Sequence, residues 1–288
     1  MIIWIASYPK SGNTWIRSLL STYLFSKDGE FNFDLLKKIE QFSPSFFNLD
    51  QNVDKNINHQ FRISKNWIPA QEIVNKDKKI HLYKTHNSLC NISGNFFTNR
   101  KNTAGAIYIA RDPRNVVTSL SHHYNINTAE ALNFISNKRK IIFPLNKNVS
   151  DSKNETVDFN FLSDWSNHYL SWKNINFCKI KIVKYEDFIL NTKETFISIL
   201  EYLSNFIEIK INEKKINNAI RSTTFAKLSK LEDKEGFIES INTNTKSKKT
   251  KFFNLGEKNN WRILLNKNIR KKIEINFKKE MLELKYLK

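Results

Sequence analysis

The strand, loop and helix that open this chain constrain its fold more than any other segment. Residues 1–7 form a short apolar run rich in β-branched side chains, which is typical of a buried parallel strand. Residues 8–15 follow with the sequence YPKSGNTW, and from Trp15 onward apolar residues recur at helical spacing. A glycine-containing turn between a strand and a helix points backbone N–H groups and a helix N-terminus at one place. The segment therefore predicts a variant of the phosphate loop that binds an anion.

The same order of strand, loop and helix repeats along the chain. Further strands are predicted at residues 79–84, 105–110 and 180–184, and helical spacing of apolar residues follows the last two. Strands that alternate with helices form a mainly parallel sheet that is covered on both faces. We therefore predict an α/β fold with three layers, α/β/α, in which residues 1–288 form a single domain.

Four other segments have a clear composition or period. Apolar residues at helical spacing predict a helix that includes residues 162–172 and a single closing helix over residues 269–281. Residues 137–158 are polar and predict an exposed loop. Residues 239–251 are rich in Lys, Asn and Thr, which is the composition of a mobile basic loop.

Composition excludes several classes of protein. With 288 residues, 40% of them hydrophobic, and only 6 Gly and 5 Pro, the chain is neither disordered nor collagen-like. Its two cysteines, Cys90 and Cys178, cannot form a disulfide framework and lack zinc-ligand spacing, so we expect a reducing compartment and no metal. Because no apolar run approaches the roughly 18 residues of a membrane span, we expect a cytoplasmic protein without such a span.

The chain carries a large excess of positive charge. Its 47 Lys and Arg residues and 28 Asp and Glu residues give a formal net charge of +19. Such an excess favours an anionic partner, although most of it is expected on solvated faces. No nucleic-acid motif is recognisable, so no nucleic acid is expected as a partner. A basic nucleic-acid-binding protein, with aromatic residues interleaved with Lys over residues 252–288, stays open as an alternative.

Polar side chains follow the other predicted strands. Lys84 and His86 come at the end of the second strand, Arg111 ends the third, and Ser119 follows it by eight residues. Ligands gather at the carboxyl ends of parallel strands. Histidine can accept a proton near neutral pH, and the planar guanidinium of arginine can grip a phosphate. The residues alone leave open that His86 is structural and that Arg111 pairs with Asp112 or Asp187.

These segments together resemble, in order, the motifs of the sulfotransferases that use 3′-phosphoadenosine-5′-phosphosulfate (PAPS). Residues 8–15 are similar to the 5′-phosphosulfate loop, residues 84–86 to the motif with the catalytic histidine, residues 109–119 to the 3′-phosphate motif, and residues 185–187 to the adenine-side motif. The resemblance spans the chain. It implies in-line transfer of a sulfuryl group to a hydroxyl, or as a second choice an amine, of a small-molecule or glycan acceptor. The implied product is 3′-phosphoadenosine-5′-phosphate (PAP).

The resemblance also implies the roles of individual residues. His86 is the implied base, Lys10 stabilises charge on the bridging oxygen, and Lys84 and Thr14 hold oxygens on the 5′ side. The implied catalytic residues are His86, Lys10, Lys84 and Ser119. The implied nucleotide-binding residues are Lys10, Ser11, Gly12, Asn13, Thr14, Trp15, Arg111, Ser119, Tyr185, Thr223, Phe225, Asn254 and Gly256.

The C-terminal segment departs from the family pattern. Gly256 and Trp261 fit, but Asn254 and Leu255 stand where the family has a basic pair. We therefore expect a weaker grip on the 3′-phosphate, unless a nearby lysine compensates within one screening length. The candidates for this compensation are Lys249, Lys251 and Lys258.

Two further functional hypotheses stay open, and so does the identity of the acceptor. One alternative is a P-loop nucleotide kinase or other phosphotransferase that uses Mg²⁺, and another is a family member without activity. Residues lining the acceptor site are expected within 31–70, 125–160 and 235–251. Phe46, Phe47 and Trp67 are candidates for that site or for the core, with the core preferred. Oligomeric state does not follow from the sequence.

Overall fold

A four-stranded parallel sheet lies at the centre of the computed structural model, which describes residues 1–47, 49, 58–143, 158–237, 239–242 and 249–288. The strands are β1 (Ile2–Ser7), β2 (His81–Thr85), β3 (Asn91–Ile92), β4 (Asn95–Phe96), β5 (Thr103–Ala110), β6 (Ile141–Ile142), β7 (Asn160–Phe161), β8 (Lys179–Lys184), β9 (Ile241–Asn242) and β10 (Lys249–Thr250). The central sheet has the order β2-β1-β5-β8, and each pair of neighbours is parallel. The other strands form three short antiparallel pairs.

Helices lie between the strands of the central sheet and after its last strand. They are α1 (Asn13–Phe25), α2 (Phe33–Leu36), α3 (His59–Lys65), α4 (Trp67–Val74), α5 (Pro113–Tyr124), α6 (Thr128–Ser136), α7 (Trp165–Lys173), α8 (Tyr185–Leu190), α9 (Thr192–Leu203), α10 (Glu213–Ser222), α11 (Phe225–Glu235), α12 (Trp261–Leu264), α13 (Lys267–Asn276) and α14 (Lys278–Glu283). Short 3₁₀ turns lie at Pro44–Phe47, Asn75–Asp77 and Gly256–Lys258.

Strand β1 shows why the sheet is covered on both faces. All six of its residues are buried, and successive side chains point to opposite faces of a strand. Trp4 belongs to one core cluster, together with residues of α5, α7 and α13. Ile3 and Ile5 belong to a second cluster, together with residues of α1, α9 and α10. The predicted three-layer α/β architecture is therefore confirmed.

The carboxyl ends of the four central strands meet at one edge of the sheet. Ser7, Thr85, Ala110 and Lys184 are the last residues of these strands. The outer side of β2 at this edge is covered, because Lys84 receives and donates backbone hydrogen bonds with residues 40–42. The loops that follow the four strands therefore start from one edge of the sheet.

Two predicted helices differ in extent from those in the structure. The closing helix is divided into α13 and α14 at Phe277, whose backbone (φ −119°, ψ 20°) leaves the helical region. The apolar residues whose spacing predicted this helix are nevertheless all buried, namely Ile269, Ile273, Phe277 and Met281. The helix predicted from Leu162 begins at Trp165, where the side chain of Asp164 accepts a hydrogen bond from the Asn167 N–H and caps α7.

The two predicted loops lie partly outside the described residues. In the first, residues 141–142 pair with 160–161, and residues 144–157 are not among those described. In the second, residues 241–242 pair with 249–250, and residues 243–248 are not among those described. Neither a helix able to cross a membrane nor a group of three metal-ligating side chains is found in the described parts of the chain.

Candidate active site

A cleft of about 1580 Å³ opens at the carboxyl edge of the central sheet. Its floor is formed where each strand ends: Lys10 follows β1, His86 follows β2, Arg111 follows β5 and Tyr185 follows β8. Residues more than 170 positions apart in the sequence thus line one cavity. This is the edge at which the sequence predicted an anion site.

The loop after β1 has the backbone that an anion-binding turn requires. Lys10 (φ 64°) and Gly12 (φ 92°) both lie in the left-handed region. A Cβ atom at Gly12 would lie 2.2 Å from the Tyr185 ring, so only glycine fits there. Asn13 fixes the loop to β1, because its Nδ2 donates to the Ile5 carbonyl oxygen and to Ser7 Oγ, both at 3.1 Å.

Three polar atoms of residues 8–15 are buried and have no hydrogen-bond partner, namely Tyr8 Oη, Ser11 Oγ and Asn13 Oδ1. The Ser11 hydroxyl can donate to an anion, whereas the Asn13 amide oxygen can only accept a hydrogen bond. A buried polar atom without a partner is costly, and such atoms in a native structure indicate a ligand, an ion or a function. The loop also leads directly into the N-terminus of α1, where Gly12 provides no side-chain cap. The loop therefore has free capacity to bind a negatively charged group.

The orientation of the His86 ring is fixed by a hydrogen bond to the backbone. Its Nδ1 donates to the Ser7 carbonyl oxygen at 2.8 Å, so the proton resides on Nδ1 and Nε2 carries the lone pair. The His168 ring donates from Nε2 to the His86 carbonyl oxygen at 3.0 Å. Burial, reinforced by Lys84, holds the pKa of His86 well below its usual range. The ring is therefore neutral at pH 7 and able to accept a proton.

Two lysines contribute positive charge beside His86. Burial lowers the pKa of Lys10 to about 7. The negative charge of Glu239 raises this pKa, whereas the positive charges of Arg111 and Lys84 lower it further. The Lys10 ammonium lies 3.9 Å from the centre of the Phe252 ring. Burial also lowers the pKa of Lys84. A bound anion would reverse these shifts, since it would neutralise the crowded cations.

Arg111 and Ser119 line the cleft on the other side of the loop. Arg111 donates from Nη1 to the Lys10 carbonyl oxygen at 2.7 Å, and its buried Nε has no partner. Its guanidinium lies 4.2 Å from the centre of the Tyr185 ring. Pairing of Arg111 with Asp112, which the sequence left open, does not occur, because Arg114 occupies both oxygens of that carboxylate. Arg111 is therefore available to a ligand.

Aromatic side chains form the wall expected to contact adenine. The Trp15 and Tyr185 rings are in edge contact, with centroids 5.9 Å apart. A Cβ atom at Gly256 would lie 2.7 Å from the Phe225 ring, so this glycine allows close approach of the two segments. Thr223 is buried and does not line the cleft, since its Oγ1 donates to the Ala219 carbonyl oxygen at 2.7 Å.

The C-terminal segment that carries Asn254 and Leu255, in place of the basic pair of the family, lines the cleft near α5. Asn254 is exposed and lies 3.1 Å from His122 Nδ1, one helical turn beyond Ser119. Lys251 forms an ion pair with Asp233 at 2.7 Å. Lys258 is exposed and is not part of the cleft lining. The side chain of residue 249 is outside the described part of the structure.

The part of the cleft expected to hold the acceptor combines apolar and polar groups. Phe46 is 62% exposed and lines the cleft. Trp67 is fully buried, so the prediction that it belongs to the core is confirmed. Phe47 packs partly buried against the main core cluster. Asp158 accepts hydrogen bonds from the hydroxyls of Ser43 and Ser45. The expected acceptor segments therefore do contribute to the cavity.

Arg17 was not predicted from the sequence as a cleft residue, and Glu239 was predicted only as part of the segment 235–251. Arg17 lies one turn after Thr14 on α1, and Glu239 follows α11. They form an ion pair of 2.8 Å inside the cleft. The sequence indicates Arg17 only in one way, since it is the single basic residue of the apolar helix α1. No local pattern distinguishes Glu239 within its polar segment.

Comparison with known proteins shows the family of the chain. A family model described as the sulfotransferase domain matches residues 2–285. Sulfotransferase 1B1 of Canis lupus familiaris is 22% identical over 278 residues, which cover 96% of this chain and 82% of the relative. Luciferin sulfotransferase of Photinus pyralis is 22% identical over 236 residues, which cover 77% of this chain and 55% of the relative.

Solved structures share the fold. Mouse sulfotransferase SULT7A1 complexed with PAP matches with a TM-score of 0.58 and 18% identity, covering 97% of this chain and 84% of that chain. Retinol dehydratase in complex with androsterone and inactive cofactor PAP matches with a TM-score of 0.59 and 17% identity, covering 97% of this chain and 80% of that chain. At these identities the match establishes the α/β fold and nothing finer.

Proposed function

Because this chain belongs to the sulfotransferase-domain family, we propose that it transfers a sulfuryl group from PAPS to a hydroxyl of a small-molecule acceptor. One observation carries the proposal. The ring of His86 is fixed by the Ser7 carbonyl through Nδ1, and its Nε2 is left to take a proton beside the cations Lys10 and Lys84. A neutral base next to a concentration of positive charge is what transfer of an anionic group requires.

The unsatisfied groups of the cleft fit the donor nucleotide. The Ser11 hydroxyl, which can donate to an anion, lies in the loop expected to hold the 5′-phosphosulfate, and the free Nε of Arg111 lies where the 3′-phosphate is expected. Arginine suits that phosphate because its donors form a planar fork. The PAP complexes of two solved relatives support the same choice of nucleotide.

His86 is proposed to take the proton of the acceptor during transfer. A bond forms between the acceptor oxygen and sulfur while the bond between sulfur and the bridging phosphate oxygen breaks. The acceptor proton moves to Nε2 of His86, and Lys10 stabilises the negative charge that develops on the bridging oxygen. We propose in-line transfer, with positioning and electrostatics supplying most of the rate, as in phosphoryl transfer.

We also propose that residues 1–288 act as one domain. Residues from β1 to α14 contribute to the core cluster on one face of the central sheet, which supports this arrangement. The apolar side chains on the acceptor side, with Phe46 among them, support a small-molecule acceptor with an apolar part.

A transfer assay with two radiolabelled donors tests the proposed function. The enzyme is incubated with a panel of phenols and aliphatic alcohols and with either sulfur-labelled PAPS or ATP labelled in its γ-phosphate plus Mg²⁺. We expect the sulfur label to move to an acceptor without added metal. Movement of the phosphate label instead would establish the phosphotransferase alternative and contradict the proposal.

The affinity for PAP is expected to fall as the pH rises through 7. Lys10 has a pKa of about 7, and a bound phosphate raises it. Below pH 7 Lys10 is already protonated, whereas above pH 7 binding must take up a proton. Calorimetry at pH 6 and pH 8 should therefore show roughly tenfold weaker binding at the higher pH.

Lys10→Arg is the control for this pH dependence. Arginine stays charged at both pH values, so the variant should lose the tenfold difference and retain only the change caused by ionisation of PAP itself. The same pH dependence in wild type and Lys10→Arg would show that another group titrates.

Asn254→Arg is expected to tighten PAP binding about threefold to fivefold, the effect of an exposed charge pair. Asn254 lies within hydrogen-bond distance of His122, one turn beyond Ser119, so an arginine there can reach the 3′-phosphate. Affinity for adenosine 5′-phosphate (AMP) should not change, and Asn254→Gln is the neutral control. Equal gains for PAP and AMP would contradict this placement of the 3′-phosphate.

A further inference from the structure

The Glu239 carboxylate is bound by three side chains of the cleft. One oxygen accepts a hydrogen bond from Thr14 Oγ1 at 2.9 Å. The other accepts from Arg17 Nη1 at 2.8 Å and from Lys84 Nζ at 3.1 Å. Thr14, Arg17 and Lys84 are only 6%, 4% and 8% exposed. Two buried cations and one buried hydroxyl therefore form a ready site for an anion, which we call the Thr14–Arg17–Lys84 cradle.

Arg17 is fixed in this cradle independently of Glu239. Its Nε donates to the Ile39 carbonyl oxygen at 2.8 Å, and its Nη2 donates to the Leu36 carbonyl oxygen at 3.3 Å. These bonds hold two edges of the guanidinium, so Nη1 is directed into the cleft. An arginine held in this way can serve as a preorganised binding group, because little side-chain entropy remains to be lost.

The position of the cradle indicates which anion it binds. Lys84 lies two residues before the proposed base His86, and Thr14 lies near the end of the loop, residues 8–15, that is proposed to hold the 5′-phosphosulfate. The cradle therefore joins the segment of the donor site to the segment of the base, which is where the transferred group is expected. The Glu239 carboxylate binds in the cradle through its two oxygens. A sulfuryl group has three terminal oxygens and would use the same donors.

Building on the proposed function, we propose that Arg17 is a further catalytic residue, which binds the sulfuryl group of the donor together with Thr14 and Lys84. Glu239 occupies the same place until the donor displaces it. The two anions cannot share the cradle, since like charges at this distance repel strongly in a buried site. Glu239 thereby keeps the buried cations neutralised and in position before the donor binds.

The proposal makes different predictions for PAPS and for PAP, which lacks the sulfuryl group. Glu239→Gln removes the competing charge, so affinity for PAPS should rise roughly tenfold while affinity for PAP changes by no more than about twofold. The Arg17→Met substitution should change the affinity in the opposite direction and weaken PAPS binding roughly tenfold. PAP binding should again change little.

Calorimetric titration with PAPS and with PAP, in the absence of acceptor, measures these effects. Glu235→Gln is the matched control, since Glu235 also lines the cleft but is not bound in the cradle. If Arg17→Met does not fold, Arg17→Lys keeps the charge without the fork and should show a smaller loss of the same sign.

The outcomes separate this proposal from the proposed function. If the Glu239 and Arg17 variants lower the midpoint of thermal unfolding but leave the ratio of PAPS to PAP affinity unchanged, the ion pair is structural and the proposal is wrong. If wild-type protein does not bind PAP at all, the proposed function fails. A changed ratio in both variants, with opposite signs, supports Arg17 as a ligand of the sulfuryl group.

Discussion

Replacing His86 with alanine is expected to lower the rate of sulfuryl transfer by about 10²–10⁴-fold, the usual contribution of a general base. The Ser7 carbonyl holds the Nδ1 proton of this ring, so Nε2 is the accepting nitrogen. Because burial and Lys84 lower the pKa of His86, the ring is neutral at pH 7 and stays so into the acid range. The wild-type rate should therefore fall on the acid side only well below pH 6.5.

His81→Ala is the matched control for this prediction. His81 lies at the other end of the same strand β2, where its Nε2 contacts Asp77 at 2.9 Å near the surface. Its replacement should leave the transfer rate unchanged. Calorimetry should also show the same PAP affinity for His86→Ala as for wild type. If His86→Ala retains most of the wild-type rate, another group accepts the proton and the proposed mechanism is wrong.

Replacing Arg111 with alanine is expected to weaken PAP binding by roughly 30-fold or more, the cost of removing one partner from a buried charge pair. Arg111 is 6% exposed, and its Nε has no partner within the protein. AMP lacks the 3′-phosphate, so its binding should weaken only a few-fold, through the lost bond from Arg111 to the Lys10 carbonyl. Parallel calorimetric titrations with PAP and AMP measure the two effects.

Arg114→Ala separates a binding role from a structural one. Arg114 is equally buried, but it forms ion pairs with Asp112 and Glu274 and lies 3.8 Å from the centre of the Trp261 ring. Its loss should lower the midpoint of thermal unfolding without changing the ratio of PAP to AMP affinity. An equal loss of PAP and AMP affinity in Arg111→Ala would mean that Arg111 acts only by supporting the loop.

The first strand and its loop were predictable because local sequence determines them. The apolar run of β1 is buried along its whole length, and the positive φ of Gly12 matches the turn that the sequence indicated. Arg111 and His86 were placed correctly at one edge because parallel strands end together. Trp15, which the resemblance implies as a nucleotide-binding residue, lines the cleft in contact with Tyr185.

Other parts of the site depend on contacts between distant segments, which sequence patterns do not reveal. Glu239 meets Thr14 across 225 positions in the chain. Asn259 accepts a hydrogen bond from Thr118 Oγ1 at 2.6 Å and so ties the C-terminal segment to α5. Thr223 matched the family motif, but its hydroxyl caps α10 instead of facing the cleft.

The central claim is that this cleft binds a nucleotide through both of its phosphates. Calorimetric titration of the wild-type protein with PAP and with AMP, at one fixed moderate salt concentration, tests it most directly. The account predicts that PAP binds at least tenfold more tightly than AMP, because only PAP reaches Arg111 and Ser119. Equal affinity for the two nucleotides, or no binding of either, would contradict it.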